Sequence, residues 1–355
     1  MTTTDVLTWT DYANAAQSSL DHYFAVPGIQ FLENSHPHDT GDTATFNYWW
    51  LAHVIDARID AWQRTGDERW HRAAVAAVEN IVERNGGSLF NDYFDDMLWF
   101  ALALERLHRA SGEKRWLDDA LAIWDHVVEF GWNDAQGESL AWRKQQLEYK
   151  NTPANGPLII LSLRLERALP QGTRDFRDYA VTAMAWLEDR LVGDDGFVED
   201  GINREGDGRI DTQWRFTYNQ GLYVGAAVEL LKTSGDRVYR ERATRTALTA
   251  ISALSDGAVF RDEGDGGDEG LFKGIYYRYL GELLPLLPVD GLERARLERF
   301  VVDGTDALVA HAWREGTIYP GNDWSKPWTG PIPYSTMLSA IMATELRARI
   351  EDARA

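Results

Sequence analysis

The sequence contains no cysteine among its 355 residues, which excludes disulfide cross-links, thiolate nucleophiles and cysteine-ligated metal centres. No run of 18 apolar residues occurs, so no segment reads as a membrane-spanning helix. Positive charge is scarce: 36 Lys and Arg against 56 Asp and Glu give a net charge of −20. A surface of that sign repels nucleic acid and anionic membranes. Common catalytic motifs are missing as well. There is no HExxH or other zinc spacing, no GxSxG elbow and no phosphate-cradling glycine motif, so neither a metal nor a cofactor is expected. The opening MTTTDVLTWTDYA lacks a basic cluster ahead of an apolar run. No export signal is read there, and a cytoplasmic location is expected, with secretion the alternative.

What is present is a core and a period. Hydrophobic residues make up 44% of the chain, and 15 of them are Trp, most of which are expected to pack inside. Six segments are nearly uncharged at their start: 46–62, 94–107, 155–168, 216–231, 271–287 and 331–346. Six others carry charged stripes: 11–24, 67–84, 114–130, 174–191, 236–254 and 290–312. All run at the helical period, and the two kinds alternate. TGDERW (65–70), SGEKRW (111–116) and TSGDRVY (233–239) join them in tight hairpin turns, each Gly ending one helix before an acid opens the next. Apolar helices belong inside and striped ones outside. The expected fold is therefore all-α, a single (α/α)6 barrel over residues 1–355 with six inner and six outer helices; an open solenoid is the competing layout.

The connections are lopsided. Inner-to-outer turns are short, whereas the outer-to-inner connections 25–45, 85–93, 131–154, 192–215, 255–270 and 313–330 are long. Antiparallel helices put all six long loops at one end, where the inner helices begin, and a loop-bearing rim on a rigid scaffold is where chemistry is expected.

At that rim the segment NDYFDDMLWFALAL (91–104) sets two adjacent aspartates, Asp95 and Asp96, at the mouth of a helix that is otherwise apolar on every side. Burying an ionised carboxylate is costly unless it is paired or takes up a proton. The pair is therefore either a helix-start device or a reaction centre. Cleaving a glycosidic bond needs two carboxyls, about 5–5.5 Å apart for a retaining mechanism. Neighbours on one helical turn point about 100° apart and reach that separation. The helix start favours one anion, while the neighbouring charge and the aromatic wall of Tyr93, Phe94 and Trp99 keep the second protonated.

Other rim segments combine amides and amines with aromatics, which suits sugar hydroxyls and ring faces. WRKQQLEYKNTPANG (142–156) brings Trp142, Lys150, Asn151 and Asn155; FTYNQG (216–221) brings Tyr218, Asn219 and Gln220; LFKGI (271–275) brings Lys273. Trp49, Trp99, Asp211 and Trp328 complete the expected substrate-binding set. NREGDGRID (203–211) shadows a calcium loop, but Trp214 stands where a bidentate Glu is required, so a metal is not expected there. RDEGDGGDEG (261–270) lacks alternating ligand spacing and reads as a solvated loop.

YFDDMLWFALA, WRK…YKNTPANGP, FTYNQG and LFKGI…RY, in this order across roughly residues 45–345, resemble glycoside hydrolase family 76, the endo-α-1,6-mannanases. The resemblance implies an (α/α)6 barrel and retaining hydrolysis of α-1,6-linked mannan or manno-oligosaccharide. It assigns Asp95 as nucleophile and Asp96 as acid/base. Two departures, no export signal and a cysteine-free loop before LFKGI, point to a bacterial, intracellular enzyme acting on imported oligosaccharides. Two alternatives stand beside it. A sugar 2-epimerase uses a similar barrel but relies on paired rim histidines, and His53 and His108 are not at matching positions. A non-catalytic glycan-binding protein would keep the Trp and amides without needing two buried acids.

Overall fold

Each apolar period in the sequence has become a helix packed on all sides, and each striped one a helix packed on one. In the computed structural model, which describes residues 7–39, 45–264 and 267–354, twelve helices are present. They are α1 (Trp9–Phe24), α2 (Tyr48–Thr65), α3 (Glu68–Arg84), α4 (Phe94–Ser111), α5 (Lys114–Gly131), α6 (Thr152–Ala168), α7 (Phe176–Arg190), α8 (Thr217–Ser234), α9 (Arg237–Leu254), α10 (Glu269–Leu283), α11 (Leu292–Ala312) and α12 (Tyr334–Asp352). In α4 every residue from Met97 to Leu107 is buried. In α3 the buried set is Trp70, Ala74, Ala77, Val78, Asn80 and Ile81, largely the one-sided stripe of an outer helix.

The even-numbered helices pack in sequence, α2 on α4, α4 on α6, α6 on α8, α8 on α10 and α10 on α12, and α12 returns to α2. That last contact closes the ring and excludes the open solenoid. Outer helices α3, α5, α7 and α9 lie on their hairpin partners, while α1 and α11 lie on α12. Small residues allow the tightest inner approaches: a Cβ on Gly221 of α8 would sit 2.7 Å from the Tyr276 Cα of α10. The short turns end in left-handed Gly66, Gly112 and Gly235, with φ of 66°, 75° and 73°, a conformation that costs glycine little.

The second halves of the inner helices carry a buried ionic ring that closes the short-turn end. Arg106 of α4 meets Asp60 of α2 at 2.5 Å, and Arg278 of α10 meets the same Asp60 at 2.9 Å. Arg164 of α6 reaches Glu229 of α8 at 3.1 Å and Glu282 of α10 at 2.6 Å. Charge was sparse only at the helix starts, and the two ends of the barrel are chemically distinct for that reason.

The rim departs from an all-helical reading by carrying short antiparallel strands in its long connections, the largest set in one of them. Connection 131–154 folds back on itself: strands Trp132–Asn133, Ser139–Arg143 and Gln146–Asn151 join Gly201–Ile202 in a four-stranded antiparallel sheet. The segment 271–287 is also shorter as a helix than its apolar pattern suggested. It starts at Glu269, and Pro285 turns its end into a 3-10 turn at Leu284–Leu286. Residues 1–6, read above for an export signal, and Asp265 and Gly266 of the acidic loop lie outside the described residues.

Candidate active site

Helix α4 begins where the chain is held extended at Tyr93, whose N–H is taken by the Asn91 side chain at 2.8 Å. The Lys144 N–H donates to the Asp92 carbonyl at 2.9 Å, pinning this start to the strand hairpin. Asp95 and Asp96 are the second and third helical residues, so the carboxyls fall in the first turn, where unpaired N–H groups favour an anion. Asp95 receives two donors: the Asp96 backbone N–H to Oδ1 at 3.0 Å and the Trp142 indole N–H to Oδ2 at 3.0 Å. Asp96 receives a single, longer one from the Asn91 amide at 3.2 Å. Asp95 is 9% exposed. Among the described residues neither carboxylate is in a salt bridge.

Burial pushes both carboxyls above their ordinary range. For Asp95 the two donors partly offset this; Asp96 is driven further, by burial and by the negative charges of Asp95 and Asp268. The anion is therefore stabilised on Asp95 and the proton on Asp96.

Both acids line a cleft of about 810 Å³ at the long-loop end. Of the residues read from sequence, Trp49, Trp99, Trp142, Asn151 and Tyr218 line it with them. Tyr218 lies flat on Phe272, ring centroids 4.0 Å apart, and its hydroxyl donates to Asp200 at 2.8 Å.

The other expected contacts do not line the cleft, and here the sequence reading is corrected. Lys150 is fully buried and donates to the Asn133 and Ser139 carbonyls at 3.0 and 2.5 Å; burial lowers its pKa to about 7. Asn155 accepts the Leu140 N–H and donates to the Leu140 carbonyl, both at 2.9 Å. Gln220 makes the same pair of hydrogen bonds with Val198, accepting its N–H at 2.9 Å and donating to its carbonyl at 2.7 Å. Asn219 donates to Asp200 at 3.0 Å. Asp211 accepts from the Tyr149 hydroxyl at 2.9 Å and from Arg204 at 3.0 Å. Lys273 caps the Asn322 carbonyl. Trp328 is 39% exposed and does not line the cleft; its indole donates to the Pro331 carbonyl at 3.0 Å. His53 is buried beneath Trp99, ring centroids 4.8 Å apart, and His108 bonds the Glu113 carbonyl at the far end of α4. Neither lines the cleft, so the paired rim histidines of an epimerase are not formed by them.

Several cleft residues had no signal in the sequence reading. Asp200, nearly fully buried, gathers Tyr149, Tyr218, Asn219 and Arg204. Asp268 holds both the Trp49 and Trp50 indole N–H groups on Oδ1, at 3.0 and 2.8 Å. Glu263 accepts the Thr217 N–H at 2.6 Å and its hydroxyl at 2.7 Å, and burial lifts its pKa to about 7. All three come from irregular loops, which have no period to read. Glu263 and Asp268 belong to RDEGDGGDEG (261–270), read above as a solvated loop, whereas their carboxylates are bonded at the cleft wall. In the calcium-like stretch 203–211, Asn203 closes its own loop, donating to the Glu148 carbonyl and accepting the Gly208 N–H.

Comparison with known proteins gives a consistent set of relatives. Residues 10–345 match the family model of glycosyl hydrolase family 76. The Lin0763 protein from Listeria innocua superposes with a TM-score of 0.93 at 41% identity, covering 98% of this chain and 99% of that one. The α-1,6-mannanase GH76A of Salegentibacter sp. HEL1_6 does so at 0.89 and 31%, covering 97% and 100%. An inactive variant of the Salegentibacter enzyme, with two consecutive aspartates changed to asparagine, has been solved in complex with α-1,6-mannotriose. A mannan endo-1,6-alpha-mannosidase of Candida glabrata is 24% identical over 271 residues; the match covers 68% of this chain and spans 59% of the yeast protein's length.

Proposed function

The chain belongs to glycosyl hydrolase family 76, and from that premise we propose that it hydrolyses α-1,6-mannosidic linkages in mannan or manno-oligosaccharides with retention of configuration, using Asp95 as nucleophile and Asp96 as acid/base. The observation that carries this reading is the unequal support of two neighbouring carboxyls in one cleft: two donors on Asp95, one long donor on Asp96.

Asp95, the stabilised anion, attacks the anomeric carbon from one face. As the bond to the leaving O6 breaks, Asp96 gives that oxygen its proton. The product of this step is a mannosyl ester on Asp95 and a free, shorter chain. Asp96, now a carboxylate, takes a proton from water; the hydroxide oxygen bonds to the anomeric carbon and Asp95 departs as carboxylate. Two inversions leave the configuration unchanged. Trp49, Trp99 and Tyr218 supply ring faces around the pair. The mannan substrates named for the Salegentibacter and Candida relatives support the choice of sugar and linkage.

The test is digestion of linear α-1,6-mannan, followed over time by chromatography and by NMR of the first product's anomeric proton. Expected are a ladder of sizes and an initial α-anomer. An initial β-anomer refutes retention, and no cleavage refutes the substrate.

A further inference from the structure

One aromatic ring in the cleft is held in a way that packing does not explain. Trp214 is 39% exposed and lines the cleft. The Arg204 guanidinium lies over its ring at 3.9 Å, and Phe216 meets it edge-on with centroids 6.1 Å apart. Arg204 is itself fixed by carboxylates of two buried acids, Asp200 at 2.8 Å and Asp211 at 3.0 Å, and by the Tyr149 hydroxyl. A cation tethered to two buried acids is a rigid backing for an indole. A hydrophobic ring backed on one side and open to a cleft is a stacking platform.

The contacts around Trp214 separate it from the reacting carboxyls. Trp214 is linked to the carboxyl pair through two groups rather than touching it: the Arg204 guanidinium, over its ring, also lies 5.8 Å from the Trp142 ring, and Trp142 donates to Asp95. The sugar under attack is at Asp95; Trp214 stacks on a neighbour further along the chain.

We propose that Trp214, backed by Arg204, is a chain-length-determining platform that binds a sugar ring remote from the scissile bond, so that the enzyme favours longer oligosaccharides over a disaccharide. This rests on the glycan-hydrolase reading above. A 1,6-linkage places an extra rotatable bond between rings, so each added sugar brings ordering cost with it. A pre-fixed aromatic face offsets that cost for one specific ring. Binding made equally in ground and transition states appears in KM, not kcat.

The experiment compares wild type, Trp214→Ala and Trp214→Phe on α-1,6-mannobiose and α-1,6-mannotetraose. Trp214→Ala is expected to lose about tenfold in kcat/KM on the tetraose, through KM, against less than about threefold on the biose. Trp214→Phe, which keeps a ring face, restores most of the loss. An equal fall on both substrates, a loss carried by kcat, or no loss on either overturns the platform while leaving the hydrolase reading intact. If wild type cleaves neither substrate, the hydrolase reading falls and the platform falls with it.

Discussion

Trp142 and Asp268 act on the carboxyl pair in opposite senses. The indole N–H favours the anion on Asp95; the Asp268 charge disfavours an anion on either acid. The proposed mechanism needs Asp95 ionised and Asp96 protonated, so it predicts a bell-shaped rate profile whose alkaline limb reports loss of the Asp96 proton. Burial raises both groups, which places that limb above the ordinary carboxylate range. Asp268→Asn keeps an oxygen for the Trp49 and Trp50 indoles and removes one negative charge. Both carboxyls then ionise more readily, and the alkaline limb of kcat/KM moves to lower pH. The other charged groups lining this cleft, Asp200, Arg204, Glu263 and Glu269, are unchanged by the substitution. A limb that stays in place or moves to higher pH contradicts the assignment.

The strand hairpin that carries Trp142 works as a bracket. Asn155, on the first turn of α6, pairs with both the N–H and the carbonyl of Leu140, and Lys150 ties down the carbonyls of Asn133 and Ser139. Asn155→Ala strands two buried backbone groups, at about 1–3 kcal/mol. The expected outcome is a melting temperature several degrees lower and a fall in kcat on mannan as the Trp142 indole loses its register on Asp95. An unchanged kcat would mean that the bracket only stabilises the fold. Legibility ended at this scale. The composition of 142–156 located Lys150 and Asn155 at the rim correctly, but direction along a loop is set by which backbone groups need partners. Those residues were read as facing sugar, and they face carbonyls. The place of Asp95 and Asp96 in the cleft was legible because a helix period fixes direction as well as place. Trp214, Asp200 and Asp268 sit in segments without a period, and only the folded rim assembles them.

For the molecule as a whole, twelve alternating helices and six long connections at one end were readable because each inner helix is apolar at its start and each outer one is striped. Closure was not readable, since both a ring and a solenoid satisfy that alternation; the contact of α12 with α2 decides it. The ring also explains the division of labour between its ends. Arg106, Arg164 and Arg278 neutralise the buried acids of the short-turn end, whereas Asp95 and Asp96 at the other end are left without a salt-bridge partner among the described residues. A buried carboxyl pair left without a counter-ion, in a barrel that pairs its other buried acids with arginines, fits a stability cost kept for chemistry.

The most direct test of that claim is to trap the covalent intermediate. Incubation with an activated 2-deoxy-2-fluoro-α-mannosyl donor, followed by peptide mass mapping, is predicted to find a single sugar ester on Asp95 in wild type and none in Asp95→Asn. An ester on Asp96 or on any other residue, or no ester from an enzyme whose first product is inverted, would contradict the account.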